Sequence, residues 1–155
     1  MATPLIIPNV ESLPEYEGSD LGFTDWHEID QGRIDAFAKA TGDHQWIHVD
    51  RERAEQESPF GTTVAHGYLT LALAPALLPE TLEVTKVSQI VNAGLDKVRM
   101  RKPVPVGSKL RLGASVKSVR EMGGGAMRLA LDARFEVEGA KRPVCTGEFV
   151  YVYYP

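Results

Sequence analysis

The residues in this chain best equipped for chemistry crowd into one stretch. Of the four histidines, His27, His44, His48 and His66, the last three lie between positions 44 and 66, beside Asp43 and Asp50. His44 and His48 are four apart and would share a helix face, the spacing of a metal-binding pair. However, Gln45 stands where the zinc-protease motif needs a glutamate, and no third ligand has the expected downstream spacing. No metal is therefore expected. A nucleophilic triad has no home either: there is no G-x-S-x-G, and the single cysteine, Cys145, falls mid-strand with no histidine near it in sequence. The Gly123–Gly125 run lacks the Lys-Ser/Thr of a phosphate loop and suits a hairpin turn.

The pairing left is Asp43 with His48. Five residues apart, they would sit about 140° apart on a helix and on opposite faces of a strand. Only a tight loop between two capped helices would bring them together. A carboxylate and an imidazole converging on one water make a general acid/base device. The alternative is that Asp43 caps a turn and His48 fills a core gap beside Ile47. His66-Gly67 favours the first reading. Gly67 opens an apolar helix, where free backbone amides can hold an oxygen that gains negative charge, and a glycine allows close approach of a ligand. His66 is expected to fix the turn before it. An amide that polarises a carbonyl and a water held by Asp and His are what adding water across a conjugated double bond requires.

The surrounding elements can be placed from pattern. Asp30 caps a helix over Gln31–Ala40 that Gly42 ends, and Asp50 caps a second over RERAEQE. Gly67 to Pro79 is apolar nearly all round, which predicts a helix buried on every side, kinked at Pro75 and stopped by Pro79. Residues 1–20, with three prolines, read as an arm lying on the domain, and LGFTDWHEI as one short strand. Beyond Val84 the period becomes two: Leu110, Leu112, Ala114 and Val116, then Leu129, Leu131, Ala133, Phe135 and Val137, alternate with polar neighbours. Glu121–Gly125 and Gly139–Lys141 are turn chemistry, and Val144–Tyr153 is a last strand. The expected fold is α+β, a curved antiparallel meander wrapped around one central helix.

Composition sets the frame. A chain of 155 residues suits one domain. Seventeen Lys+Arg against 21 Asp+Glu, a formal net charge of −4, argue against non-specific nucleic-acid binding. The lone cysteine favours a reducing compartment. The start, MATPLIIPNVESLPEYEG, has no basic n-region, and the longest apolar stretch, Tyr68–Leu78, is short of the ~20 residues of a membrane span. A cytoplasmic, soluble protein is expected.

The segment Ala40-Thr-Gly-Asp-His-Gln-Trp-Ile-His48, with Ser58-Pro-Phe-Gly61 and Ala65-His-Gly-Tyr-Leu-Thr70, resembles the MaoC-like dehydratases, whose hydratase motif is Gly-Asp, four residues, His. Gln45-Trp46, in place of Asn-Pro, is similar to the NodN-like branch, as are Asn92-Ala-Gly-Leu-Asp-Lys-Val-Arg99 and Pro103-Val-Pro-Val-Gly107. The likeness spans residues 22–152. It implies a hotdog fold, a homodimer, a place in fatty-acid metabolism, and R-specific hydration of trans-2-enoyl-CoA or the reverse dehydration. Asp43 and His48 would hold the water, and the Gly67 amide would polarise the thioester carbonyl. No cofactor is implied, the CoA or acyl-carrier-protein thioester being substrate. Some hydratases carry a serine further along the central helix, where this chain has Pro75. Lys97, Arg99, Arg101 and Lys102, the densest basic cluster, are candidates for the CoA phosphates, and Trp46, Phe60 and Tyr68 for the acyl pocket. Two rival readings are a hotdog thioesterase, disfavoured because Tyr68–Leu78 contains no acid, and a non-catalytic acyl-thioester binding module.

Overall fold

The computed structural model describes residues 1–155. Two of its three helices before the central one form where the caps predict, while the stretch between Gly42 and Asp50, expected as a turn and not a helix, winds into one further helical turn that no side chain caps. Helix α1 (Gln31–Thr41) starts with the Asp30 carboxylate accepting from the Arg33 amide at 2.8 Å, and ends at Gly42, whose φ of 81° gives the left-handed cap. Helix α2 (Trp46–Val49) is a single turn, and α3 (Arg51–Glu57) is capped by Asp50 on the Arg53 amide.

The central helix is segmented: α4 (Gly67–Ala72), α5 (Ala74–Leu77) and a 3₁₀ turn over Leu78–Glu80. Pro75 has no N–H for the Leu71 carbonyl, so the ladder breaks at Leu73. Pro79 sits inside the 3₁₀ turn and does not stop the helical path. Nor is the helix buried all round. Leu69, Thr70, Ala74, Leu77 and Leu78 face the core, whereas Tyr68 is 73% exposed and Ala72, Pro75 and Ala76 are also open.

The sheet supplies the apolar face that α4 and α5 cover. Its strands are β2 (Asp20–Phe23), β3 (His27–Ile29), β5 (Gln89–Met100), β6 (Ser108–Gly123), β7 (Ala126–Val137) and β8 (Cys145–Tyr154). LGFTDWHEI is thus two strands, both paired with β6. The order β2-β6-β7-β8-β5 is antiparallel throughout. The meander holds for β6, β7 and β8. Strand β5, however, pairs with β8 and not with its chain neighbour β6, and forms the free edge. Alternation along β6 and β7 sends Leu110, Leu112, Ala114, Val116, Leu129, Leu131, Ala133 and Phe135 into one core with Leu69, Ala74, Leu77 and Leu78.

Residues 1–20 are more than an arm. Strand β1 (Leu5–Ile7) pairs in parallel with β4 (Leu82–Val84), and a 3₁₀ helix covers Val10–Tyr16. Ile7, Val10 and Leu13 are fully buried members of the core. Pro14 lies inside the 3₁₀ helix, which Asn9 caps, and the segment packs into the core in spite of its prolines.

A curved antiparallel sheet around a central helix is the hotdog arrangement. No helix is long and apolar enough to cross a membrane.

Candidate active site

Asp43 lies in the loop that Gly42 opens, and His48 on α2. The loop and the single turn of α2 together make the connection that lets residues five apart converge. Asp43 Oδ1 accepts the Gln45 amide at 3.3 Å, a local turn that fixes the carboxylate. Gln31, at the start of α1, donates to the His48 carbonyl at 2.7 Å and accepts from the Thr63 hydroxyl at 2.6 Å, stapling α2 in place. Ligand atoms of Asp43, His48 and His66 all lie within 4.8 Å of one another.

The hydrogen bonds fix both imidazole tautomers. His48 Nδ1 lies 2.7 Å from the Val64 carbonyl. A carbonyl only accepts, so Nδ1 carries the proton and Nε2 keeps a free lone pair. His66 Nε2 likewise donates to the Asp43 carbonyl at 3.0 Å, which leaves its buried Nδ1 without a partner. The two rings stack at 3.9 Å with 23° between their planes, and Phe37 closes the far side of His66 at 4.9 Å. Thus His66, which ends the chain's approach to α4, ties the Asp43 loop and His48 to the start of the central helix. His44 is exposed beside them. His27 meets Glu80 at 2.6 Å, at the other end of the helical segment.

Three potential ligands this close have the spacing of a metal centre, but the stacking opposes one. Imidazole lone pairs lie in the ring plane, so nearly parallel stacked rings aim them side by side and not at one point. Burial holds the His48 pKa below its ordinary 6.5, and the neighbouring His66 adds to that; the bond to Val64 and the charge of Asp43 oppose it without reversing it. His48 is 8% exposed, whereas the Asp43 side chain is 51% exposed and reachable from solvent. A buried neutral base facing an open carboxylate can hold and deprotonate a water between them.

Gly67 begins α4 next to this pair, and its amide donates to no group of the chain. The space that a side chain there would occupy is filled: a Cβ on Gly67 would run into Met100 Sδ. Met100 is therefore a neighbour of the site that nothing in the local sequence pattern signalled.

Two cavities flank the start of α4. One, of about 690 Å³, is mainly apolar and runs between Phe37, Tyr68, Leu71, Pro75 and the β5 residues Asn92 and Leu95. The other, of about 300 Å³, contains Phe60, Gly67, Thr70, Met100, Arg101 and Lys102. The three aromatic candidates thus separate. Tyr68 lines the first cavity and Phe60 the second, while Trp46 lines neither and packs under Arg53 at 4.2 Å. The basic cluster separates as well. Arg101 and Lys102 reach the second cavity, and the Arg99 guanidinium folds back on the Val98 carbonyl. Lys97, at a φ of 53° where the β5–β8 register slips, turns to Glu148, which Lys117 also pairs. That ion pair draws Lys97 out of the cluster.

Residues 14–138 match the family model of the MaoC like domain. The chain is 45% identical over 145 residues to the 3-hydroxyacyl-thioester dehydratase Z of Mycobacterium tuberculosis (strain ATCC 25618 / H37Rv), covering 94% of this chain and 95% of that protein. It is 40% identical over 149 residues to Nodulation protein N of Rhizobium leguminosarum bv. viciae, covering 93% and 90%. Among solved structures, the (R)-hydratase from A. caviae superposes with a TM-score of 0.72 at 23% identity, over 90% of this chain and 96% of that one. The structural likeness establishes the hotdog fold, and the sequence likeness goes further: this chain belongs to the MaoC-like dehydratase family, with Nodulation protein N among its relatives.

Proposed function

We propose that the protein is a hydro-lyase that adds water across a trans-2-enoyl thioester, with R specificity, or removes it from the 3-hydroxyacyl thioester in reverse. The observation that carries this reading is the convergence of Asp43 and His48, whose ligand atoms lie within 4.8 Å of each other, with the second ring nitrogen of His48 left open by the Val64 bond and the free Gly67 amide next in the chain after His66. That separation admits one water bonded to both groups. The relatives named dehydratase support the same chemistry.

In the forward direction the water oxygen bonds to the β-carbon while the Asp43/His48 pair takes its proton. The double-bond electrons shift toward the α-carbon and the carbonyl oxygen, whose growing charge the Gly67 N–H meets. The α-carbon then takes a proton from the pair, and the carbonyl reforms. The pair shares the proton as a unit. The apolar cavity beside Tyr68, Leu71 and Leu95 suits the acyl chain. Arg101 and Lys102 suit the phosphates of CoA or of a carrier-protein arm, with Arg99 behind them. No cofactor enters these steps.

We also assign this reading to a homodimer working in the cytoplasm on fatty acyl substrates. Strand β5 leaves a long edge unpaired, with Ile90, Val91 and Leu95 exposed on it beside the open face of α4, and a second copy is the self-complementary cover.

Loss of the enoyl absorbance of a short 2-enoyl-CoA, followed together with free-thiol release, tests the activity. The expected result is enoyl loss without thiol release, and a drop of about 10²–10⁴-fold for Asp43→Asn and for His48→Gln with little change in melting temperature. Thiol release would make the protein a thioesterase, and binding without turnover a module. A large stability loss with activity intact would return the pair to a structural role.

A further inference from the structure

Met100 ends β5, where its backbone is registered opposite Cys145 and the following Arg101 amide donates to the Val144 carbonyl at 2.7 Å. Its backbone is therefore fixed. The side chain is 48% exposed and lies flat against Gly67, with Sδ, Cε and Cγ all within 3.7 Å of where a Cβ would stand. Gly67 has no positive φ, so the backbone there does not demand glycine. The occupant of the missing side chain's space is the thioether.

We propose that Gly67 is a glycine because Met100 sits on it, and that the Met100 thioether is the wall that positions the sulfur end of the bound thioester. This rests on the reading of the site given above. A substrate whose carbonyl oxygen meets the Gly67 amide has its sulfur two bonds away. The cavity that Gly67 and Met100 share is also the one that Arg101 and Lys102 line, so the carrier arm leaves past Met100. A methionine suits this contact: the thioether is polarisable and its unbranched chain adapts to what lies beside it. Met100 is thus a positioning residue for the carrier side, separate from the acyl cavity behind Tyr68 and Leu71.

The geometry makes an unusual demand on Gly67→Ala. The added methyl would leave the backbone N–H in place and displace only the mobile end of Met100, so its effect must run through that side chain. Michaelis constants and turnover for short and long 2-enoyl-CoA substrates are measured on the wild type, Met100→Ala, Met100→Leu, Gly67→Ala and the Gly67→Ala/Met100→Ala double variant, with melting temperatures alongside. Met100→Ala is expected to raise KM about tenfold at every chain length with kcat little changed, and Met100→Leu to recover part of the loss. Gly67→Ala should raise KM similarly, and the double variant should be no worse than either single one. An unchanged KM in Met100→Ala, or effects of the two single changes that multiply in the double variant, overturns the inference while leaving the hydratase reading intact. A wild type that consumes no enoyl thioester overturns both.

Discussion

His48 has one ring nitrogen committed and one open, and that asymmetry governs the pH behaviour of the site. The bond from Nδ1 to the Val64 carbonyl makes Nε2 the working atom, and burial keeps it unprotonated to lower pH than a free histidine. Activity should therefore persist below pH 6.5 and fall on an acid limb of kcat/KM that lies under that value; a limb above it would contradict the assignment of His48 as base. Stability takes the same sign. The folded state favours neutral His48, so the unfolded chain binds more protons below its own pKa, and stability falls as pH drops toward the folded value. At this scale the sequence was informative about the pair and silent about its supports. Asp43, His48 and Gly67 stand out because few other chemistries fit their types and spacing. The stack of His66 on His48, the Gln31 staple and the seat of Met100 depend on contacts between segments remote in the chain, and local pattern carries no trace of them.

At the scale of elements, what a residue does to its own backbone was legible and what it does to a distant strand was not. The caps at Asp30, Gly42 and Asp50 act within three or four residues, so α1 and α3 fall where those residues put them. Pro75 breaks the central helix for an equally local reason. Strand β5 shows the limit. Nothing within residues 89–100 specifies β8 over β6 as its partner, because pairing is decided by the crossing at Pro103–Gly107 and by the faces left to cover. The N-terminal segment misleads in a different way. Its prolines suggest an exposed arm, yet the three-residue spacing of Val10 and Leu13 in a 3₁₀ turn puts both on one side, against β6 and β7. Leu13 is wholly buried, and Leu13→Ala should cost about 2–5 kcal/mol in a urea denaturation series. A change under 0.5 kcal/mol, the scale of an ordinary surface substitution, would restore the description of an arm.

At the scale of the molecule, one edge of the sheet is finished and the other is not. The β2/β3 edge is short and interrupted, whereas β5 continues for 12 residues, its register against β8 slipping at two points, with apolar side chains open beside it. In the proposed homodimer a carboxylate on this edge would be buried against its own copy. Ile90→Asp, 52% exposed in the single chain, should hardly disturb the fold of one subunit but should shift sedimentation from dimer to monomer. A protein that sediments as a monomer before any substitution would remove the second copy from the picture. The net charge of −4 also takes on a local meaning: an anionic carrier would be met by Arg101 and Lys102 at one cavity mouth, not by the surface as a whole.

Asn92, Gly94 and Leu95 of β5 wall the apolar cavity while belonging to the strand that a second copy would cover. Pocket width and self-recognition are then written in the same few codons. If the proposed homodimer holds, a lineage could not drift toward bulkier acyl chains by trimming Asn92 or Leu95 without also loosening that assembly, so diversification of substrate range would be steered toward the helical wall at Tyr68, Leu71 and Pro75 or toward paired changes on both faces.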